Sequence, residues 1–191
     1  MTVVRSGYER RHNDLYETQV WVTDVLLKHF PLRGRRVWEP AAGNHKMVDA
    51  LRAHGAGVVT SDIKTYDRDH DFLFDFLSDE PRPLLVRRID ALVTNPPYGK
   101  QNRDAVRFAE RALARCDGLV ALLLTAKFDS GKTRAHLLRD NPRFAAKIVL
   151  LDRIQWFAGE TGGTEDHAWF VWGPAIMPVT PRLIWEGIGG R

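Results

Sequence analysis

Hydrophobic positions along this chain follow two spacings. Between Thr18 and Pro31, Val22, Val25, Leu26 and Phe30 recur on one helical face, which predicts an amphipathic helix that Pro31 stops. The same spacing predicts a helix over 45–54 and a longer one over 102–115. In the longer helix Ala105, Phe108, Ala109, Ala112 and Leu113 share one face, and Arg103, Arg107, Arg111 and Arg115 line the other. Between the helices lie short apolar runs near 36–39, 57–61, 89–94, 118–124, 147–151 and 167–172. The run Leu119 to Leu124 has no polar alternation, as a strand buried on both faces requires. Strands alternating with helices predict an α/β fold, a mostly parallel sheet with helices on both faces. Its 191 residues are expected to form a single domain, 1-191, with 1-15 a loosely ordered polar segment.

Composition narrows the class without changing that picture. A hydrophobic content of 44% is ordinary for a globular core, and no apolar run approaches the ~20 residues that span a bilayer. Arg5, Glu9, Arg10, Arg11 and His12 occupy the place where a signal peptide would have its apolar core, so a cytoplasmic location without a membrane partner is expected. The single cysteine, Cys116, excludes a disulfide framework and is expected to pack. A net charge of +4 permits a polyanionic partner without requiring one. Acids crowd the middle of the chain, from Asp62 to Glu80, and bases gather on either side of it.

Three strand ends carry candidate chemistry. Arg36 to Glu39 reads as a strand, Pro40-Ala41-Ala42-Gly43-Asn44 as a small-residue turn, and the helix follows. That order is the first unit of a Rossmann-like nucleotide site, where glycine lets a ligand approach the backbone. A second strand ends at Asp62, 19 residues after Gly43. A carboxylate there can accept both ribose hydroxyls or can cap a helix, and the residues alone leave the two readings level. The third strand ends in Asn95-Pro96-Pro97-Tyr98. Two prolines end the ladder, because proline has no N–H and restricts the residue before it. The Asn95 side-chain carbonyl and the Pro96 backbone carbonyl could then accept both protons of a planar amine, with Tyr98 offering an aromatic face. A rigid loop start would use the same residues.

Asn95-Pro96-Pro97-Tyr98 resembles the catalytic motif of the amino-methyltransferases, which methylate adenine N6, cytosine N4 or a glutamine amide with S-adenosylmethionine. Glu39-Pro40-x-x-Gly43 is similar to the cofactor loop of the adenine enzymes, and Leu15-Tyr16-Glu17-Thr18 to their N-terminal motif. The resemblance implies a class I methyltransferase fold with S-adenosylmethionine held by Thr18, Glu39, Pro40, Ala41, Gly43 and Asp62. It implies Ile63 against the cofactor's adenine ring, and Asp75 and Phe76, or failing them Asp71, near its amine. Thr125-Ala126-Lys127-Phe128-Asp129-Ser130-Gly131 and the aromatic cluster 167–172 resemble phage and prophage-type DNA N6-adenine methyltransferases. The catalytic set is then Asn95, Pro96, Pro97 and Tyr98, acting on a flipped-out adenine without a metal. Lys100 and Arg103 are the residues expected to reach phosphate, and glycine-rich 159–166 is expected to be a substrate loop or a hairpin connection.

One residue departs from the pattern. The family often has a second glycine two positions after the first, and here His45 stands in that place. Either the loop opens differently or the helix starts earlier, and a weakened cofactor site would follow. Only a short loop-rich remainder follows the catalytic motif, so target recognition would rest on short loops or on a partner subunit. The alternatives are an RNA adenine or protein-glutamine methyltransferase, and a non-catalytic partner subunit, which His45 favours.

Overall fold

The computed structural model describes residues 16–156, 165–175 and 180–190. Segment 1–15 and most of the loop 159–166 lie outside the described residues. Eight strands form one sheet in the order β3-β2-β1-β4-β5-β7-β6-β8. They are β1 (Arg36–Glu39), β2 (Gly57–Asp62), β3 (Phe72–Leu73), β4 (Ala91–Thr94), β5 (Leu119–Thr125), β6 (Phe144–Leu150), β7 (His167–Trp172) and β8 (Arg182–Glu186). Pairing is parallel from β3 through β5 and between β6 and β8, while β7 runs antiparallel between β5 and β6. Strand order reverses between β1 and β4, and ligands of such sheets bind beyond the strand carboxyl ends at that point.

Helices α1 (Val20–His29), α2 (Lys46–Ala53) and α3 (Arg103–Arg115) fall where the spacing predicts them. One core cluster joins the apolar faces of α1 and α2 to one sheet face, through Val22, Leu26, Val48, Leu51, Val93, Leu123 and Trp169. The other lies under α3 and holds Trp38, Leu92, Phe108, Leu122, Phe170 and Trp172. The β7 tryptophans are core residues, and each indole N–H finds a carbonyl: Trp169 donates to Val22 at 2.8 Å and Trp172 to Leu137 at 2.6 Å.

The structure departs from the sequence reading at four places. Strand β6 starts at Phe144 instead of 147, because Phe144 already pairs with Trp172. Strands β3 and β8 are not among the strands read from the sequence: the first is two residues long, and the second is mostly exposed. Arg115 does not belong to a solvated arginine row. It is 7% exposed, donates to the carbonyls of Ser78 and Glu80, and lies over the rings of Phe74 and Phe76. The basic stretch through Leu137, Leu138 and Arg139, which the sequence reads as a short basic helix, forms instead a 3₁₀ turn over Lys132–Leu137.

Candidate active site

Strand β1 delivers Glu39 into the sheet crevice almost fully buried, at 1% exposure. The Ala41 N–H donates to its Oε1 at 3.1 Å, and burial pushes its pKa up to about 8. The following turn doubles back on itself: Ala42 N–H donates to the Ser61 carbonyl, and His45 N–H to the Ala42 carbonyl. Gly43 takes φ 47°, a conformation that costs an L side chain energy and a glycine little. Its N–H donates to Asp62 Oδ2 at 3.0 Å, while Ile63 N–H donates to Oδ1 at 2.7 Å. Asp62 therefore fastens the turn to the end of β2, and each of its oxygens keeps a second lone pair beyond these two bonds.

His45 explains its own place in the turn. Helix α2 does not start early: it starts at Lys46, and His45 is its N-cap with φ 69°. The histidine holds the left-handed conformation that a second glycine would adopt freely. Its ring supplies compensation, because it is 4% exposed and its Nε2 lies 2.9 Å from His70 Nδ1. His70 Nε2 reaches the Lys64 carbonyl at 3.1 Å, which orders the pair as a hydrogen-bonded chain. Beside it, Asn44 and Asp67 exchange two hydrogen bonds, at 2.9 and 3.0 Å. The loop after Asp62 is thus tied to the glycine turn at two points.

Strand β4 delivers Asn95 to the same crevice. Its Nδ2 donates to Thr18 Oγ1 at 3.2 Å and to the Tyr16 carbonyl at 3.3 Å. That contact turns Oδ1 toward Tyr98, whose hydroxyl lies 3.1 Å from the Leu123 carbonyl and 3.3 Å from Asn95 Oδ1. One hydroxyl proton cannot serve both, and Leu123 is the nearer acceptor. Burial holds the phenol above its usual range, so it stays a donor. Pro96 is buried and Pro97 exposed. One small cleft is lined by Thr18, Glu39, Ala41, Ala42, Gly43 and Asn95, with Tyr16, Glu17, Asn44, Lys46 and Met47 completing its wall. At that wall Lys46 Nζ pairs with Glu17 at 2.6 Å.

Other residues expected in the site lie apart from that cleft. Ile63 is 66% exposed, which leaves its side chain free to cover a flat ring. Asp75 is exposed and accepts the Leu77 N–H at 2.8 Å. Phe76 corrects the expectation that it touches a ligand: it is 1% exposed, stacked on Phe108 at 4.6 Å and edge-on to Trp38 at 5.2 Å. Asp71, the fallback, is spent on structure, because its Oδ2 accepts both the N–H and the hydroxyl of Thr60. Lys100 and Arg103 are exposed, Lys100 in the turn before α3 and Arg103 at its start, shortly after Asn95-Pro96-Pro97-Tyr98.

His167 was invisible in the sequence as a site residue. It opens β7 opposite Thr125, and its ring stacks on Tyr98 at 6.0 Å and 30° with Trp156 edge-on at 5.3 Å. Burial pushes its pKa down to about 4, so the ring is neutral at physiological pH. Its only signal was a polar residue leading an otherwise apolar run.

No protein-family model matches the sequence, and no curated protein matches it. Solved structures do match. A protein from Listeria monocytogenes assigned as a class I S-adenosylmethionine-dependent methyltransferase superposes with a TM-score of 0.61 at 15% identity, over 87% of this chain and 62% of its own. A structure assigned as an RNA methyltransferase, from Pyrococcus horikoshii, superposes with a TM-score of 0.63 at 14% identity, over 82% of both chains. The chain has the Rossmann-like class I methyltransferase fold. A modification subunit assigned to a type I restriction enzyme of Vibrio vulnificus shares that fold with a TM-score of 0.61 at 14% identity, over 94% of this chain and 49% of its own. The chain therefore spans less than two thirds of the length of two of these methyltransferase-fold proteins, 62% of one and 49% of the other. In this fold the crevice between β1 and β4 is where Glu39, Gly43, Asp62 and Asn95 gather.

Proposed function

We propose that this protein transfers a methyl group from S-adenosylmethionine to the N6 amino group of adenine in DNA. The observation that carries the reading is the shared cleft: Asn95 of the catalytic tetrapeptide and Glu39 of the glycine turn line one cavity, held in register through Thr18. The donor set fits the cofactor. Glu39 is a buried carboxyl without a cationic partner among its hydrogen bonds, and an amino-acid ammonium would complete it. Asp62 keeps lone pairs for ribose hydroxyls, and the exposed Ile63 side chain stands beside it for an adenine ring. Bound there, S-adenosylmethionine supplies an electrophilic methyl group on sulfur.

What the chain itself contributes is orientation and hydrogen-bond acceptance. The N6 lone pair of adenine is delocalised into the ring, so an acceptor on each N–H localises it for attack. The Asn95 Oδ1 and the Pro96 carbonyl are the acceptors, and rotation of the Tyr98 hydroxyl fully onto Leu123 frees Oδ1 for that duty. A target base in a duplex must leave the stack at a cost of a few kcal/mol, which stacking on Tyr98 offsets in part. Neutral His167 backs the Tyr98 ring and fixes its plane. Lys100 and Arg103 stand at the loop edge for phosphate.

The test is tritiated-methyl transfer to duplex DNA, single-stranded DNA and RNA in parallel, followed by nucleoside analysis. Label on N6-methyladenosine from RNA alone would replace DNA by RNA as the substrate, a reading that the Pyrococcus horikoshii likeness supports.

A further inference from the structure

Strand β8 ends the sheet, and on its outer side no strand follows among the described residues. We propose that this edge is a self-association surface: two copies of the chain pair their β8 strands antiparallel about Ile184, joining two sheets into one. This surface lies at the opposite end of the strand order from the cleft strands, so it stands independently of the catalytic reading.

The argument starts from backbone parity. The Leu151 N–H donates to the Glu186 carbonyl at 2.8 Å, so Glu186 turns its backbone groups toward β6. Residues two apart in a strand turn theirs the same way, which gives Ile184 and Arg182 to β6 as well. Leu183 and Trp185 therefore aim their N–H and C=O groups outward. In an antiparallel pair centred on Ile184, Leu183 lies opposite Trp185 of the partner subunit, and such a pair exchanges both backbone hydrogen bonds. The same register places Arg182 opposite Glu186 of the partner subunit at each end. Glu186 is also held by Lys28 and His29 of its own protomer, at 2.9 and 2.8 Å, so the direction is decided at Arg182: parallel pairing in register would set Arg182 against Arg182 of the partner subunit, and the antiparallel two-fold arrangement separates them.

The side chains agree. Leu183 and Trp185 are 54% and 58% exposed, and Leu151, where β6 ends beside Glu186, is 57% exposed. They form an apolar strip beside an open edge. Monomeric proteins blunt such edges with lysine, proline or a bulge, and β8 has none: its register against β6 runs without a shift from Arg182 to Glu186.

Sedimentation of the full chain at about 100 μM, where a micromolar dimer is populated, is expected to give twice the 21.8 kDa protomer mass. Trp185→Pro removes one outward N–H and leaves the β6 ladder intact, since a proline is tolerated on that side of an edge strand. It is expected to sediment as a monomer with native circular dichroism. Trp185→Lys keeps the backbone and is expected to raise the dimer dissociation constant at least about tenfold. Ile184→Cys, at a position where facing Cα atoms are ~4.5 Å apart, is expected to oxidise to a cross-linked dimer. The native Cys116 is buried and does not compete. A monomeric wild type overturns the proposal, and so does a Trp185→Lys protein that dimerises as tightly as wild type, because another face would then be responsible.

Discussion

Glu39 sits in the cleft as a neutral acid. With a pKa raised by burial to about 8, it is mostly protonated at pH 7, and an arriving ammonium must displace that proton. Cofactor affinity is therefore expected to rise with pH between about 6 and 8, approaching tenfold per unit, with about one proton released on binding. Calorimetry in buffers of different ionisation heat measures both, and Glu39→Gln is expected to flatten the slope. The linkage to folding has the opposite sign. A raised folded pKa contributes stability that is full below the ordinary value near 4.5 and is lost as pH rises through about 8. Thr18 makes a second prediction at this scale. Its hydroxyl, buried at 3% exposure, accepts from Asn95. Thr18→Val is expected to cost about 1 kcal/mol of stability in urea unfolding and to slow transfer about tenfold, with a smaller change in cofactor affinity.

At the scale of elements, what was legible in the chain was local. Glu39, Asp62 and Asn95 each close a short apolar run, and a strand end is readable from a few residues. The three helices were equally legible, because their apolar positions repeat within a dozen residues. Strand direction was not: the apolar run at His167–Trp172 reads the same parallel or antiparallel, and only its pairing with Leu119–Thr125 and Phe144–Leu150 decides it. Contacts across the chain were hidden for the same reason. Asn95 meets Thr18 over a separation of 77 residues, and His167 meets Tyr98. Phe76 looked like a ligand contact and is a core ring, because the Asp-Phe pattern does not say which side chain the sheet encloses. Basic residues misled similarly. Arg143 belongs to the basic residues that flank the acidic middle of the chain, yet it donates to the carbonyls of Leu113, Cys116, Gly118 and Gly173. Those carbonyls end α3, start β5 and follow β7, so Arg143→Ala is expected to lower unfolding free energy by about 3 kcal/mol. Urea titration of the two proteins reads that difference directly.

On the scale of the whole molecule, topology turns separate motifs into a site. Strand order reverses between β1 and β4, so the carboxyl ends of β1, β2 and β4 open on one crevice and their terminal residues meet there. Residues 39, 62 and 95 are far apart in sequence and share that edge for this reason alone. The opposite end of the strand order presents β8, exposed and self-complementary. The central claim is that the crevice is an amino-methyltransferase site in which Asn95 acts on the substrate amine and not on the cofactor. The measurement that tests it most directly is tritiated-methyl transfer to duplex DNA by wild type and Asn95→Ala, with cofactor affinity of both measured by calorimetry. The account predicts that both proteins bind S-adenosylmethionine with similar affinity, that wild type labels adenine N6, and that Asn95→Ala is slower by about 100-fold or more. Transfer by Asn95→Ala at the wild-type rate, or a wild type that binds the cofactor and labels no nucleic acid, would contradict it.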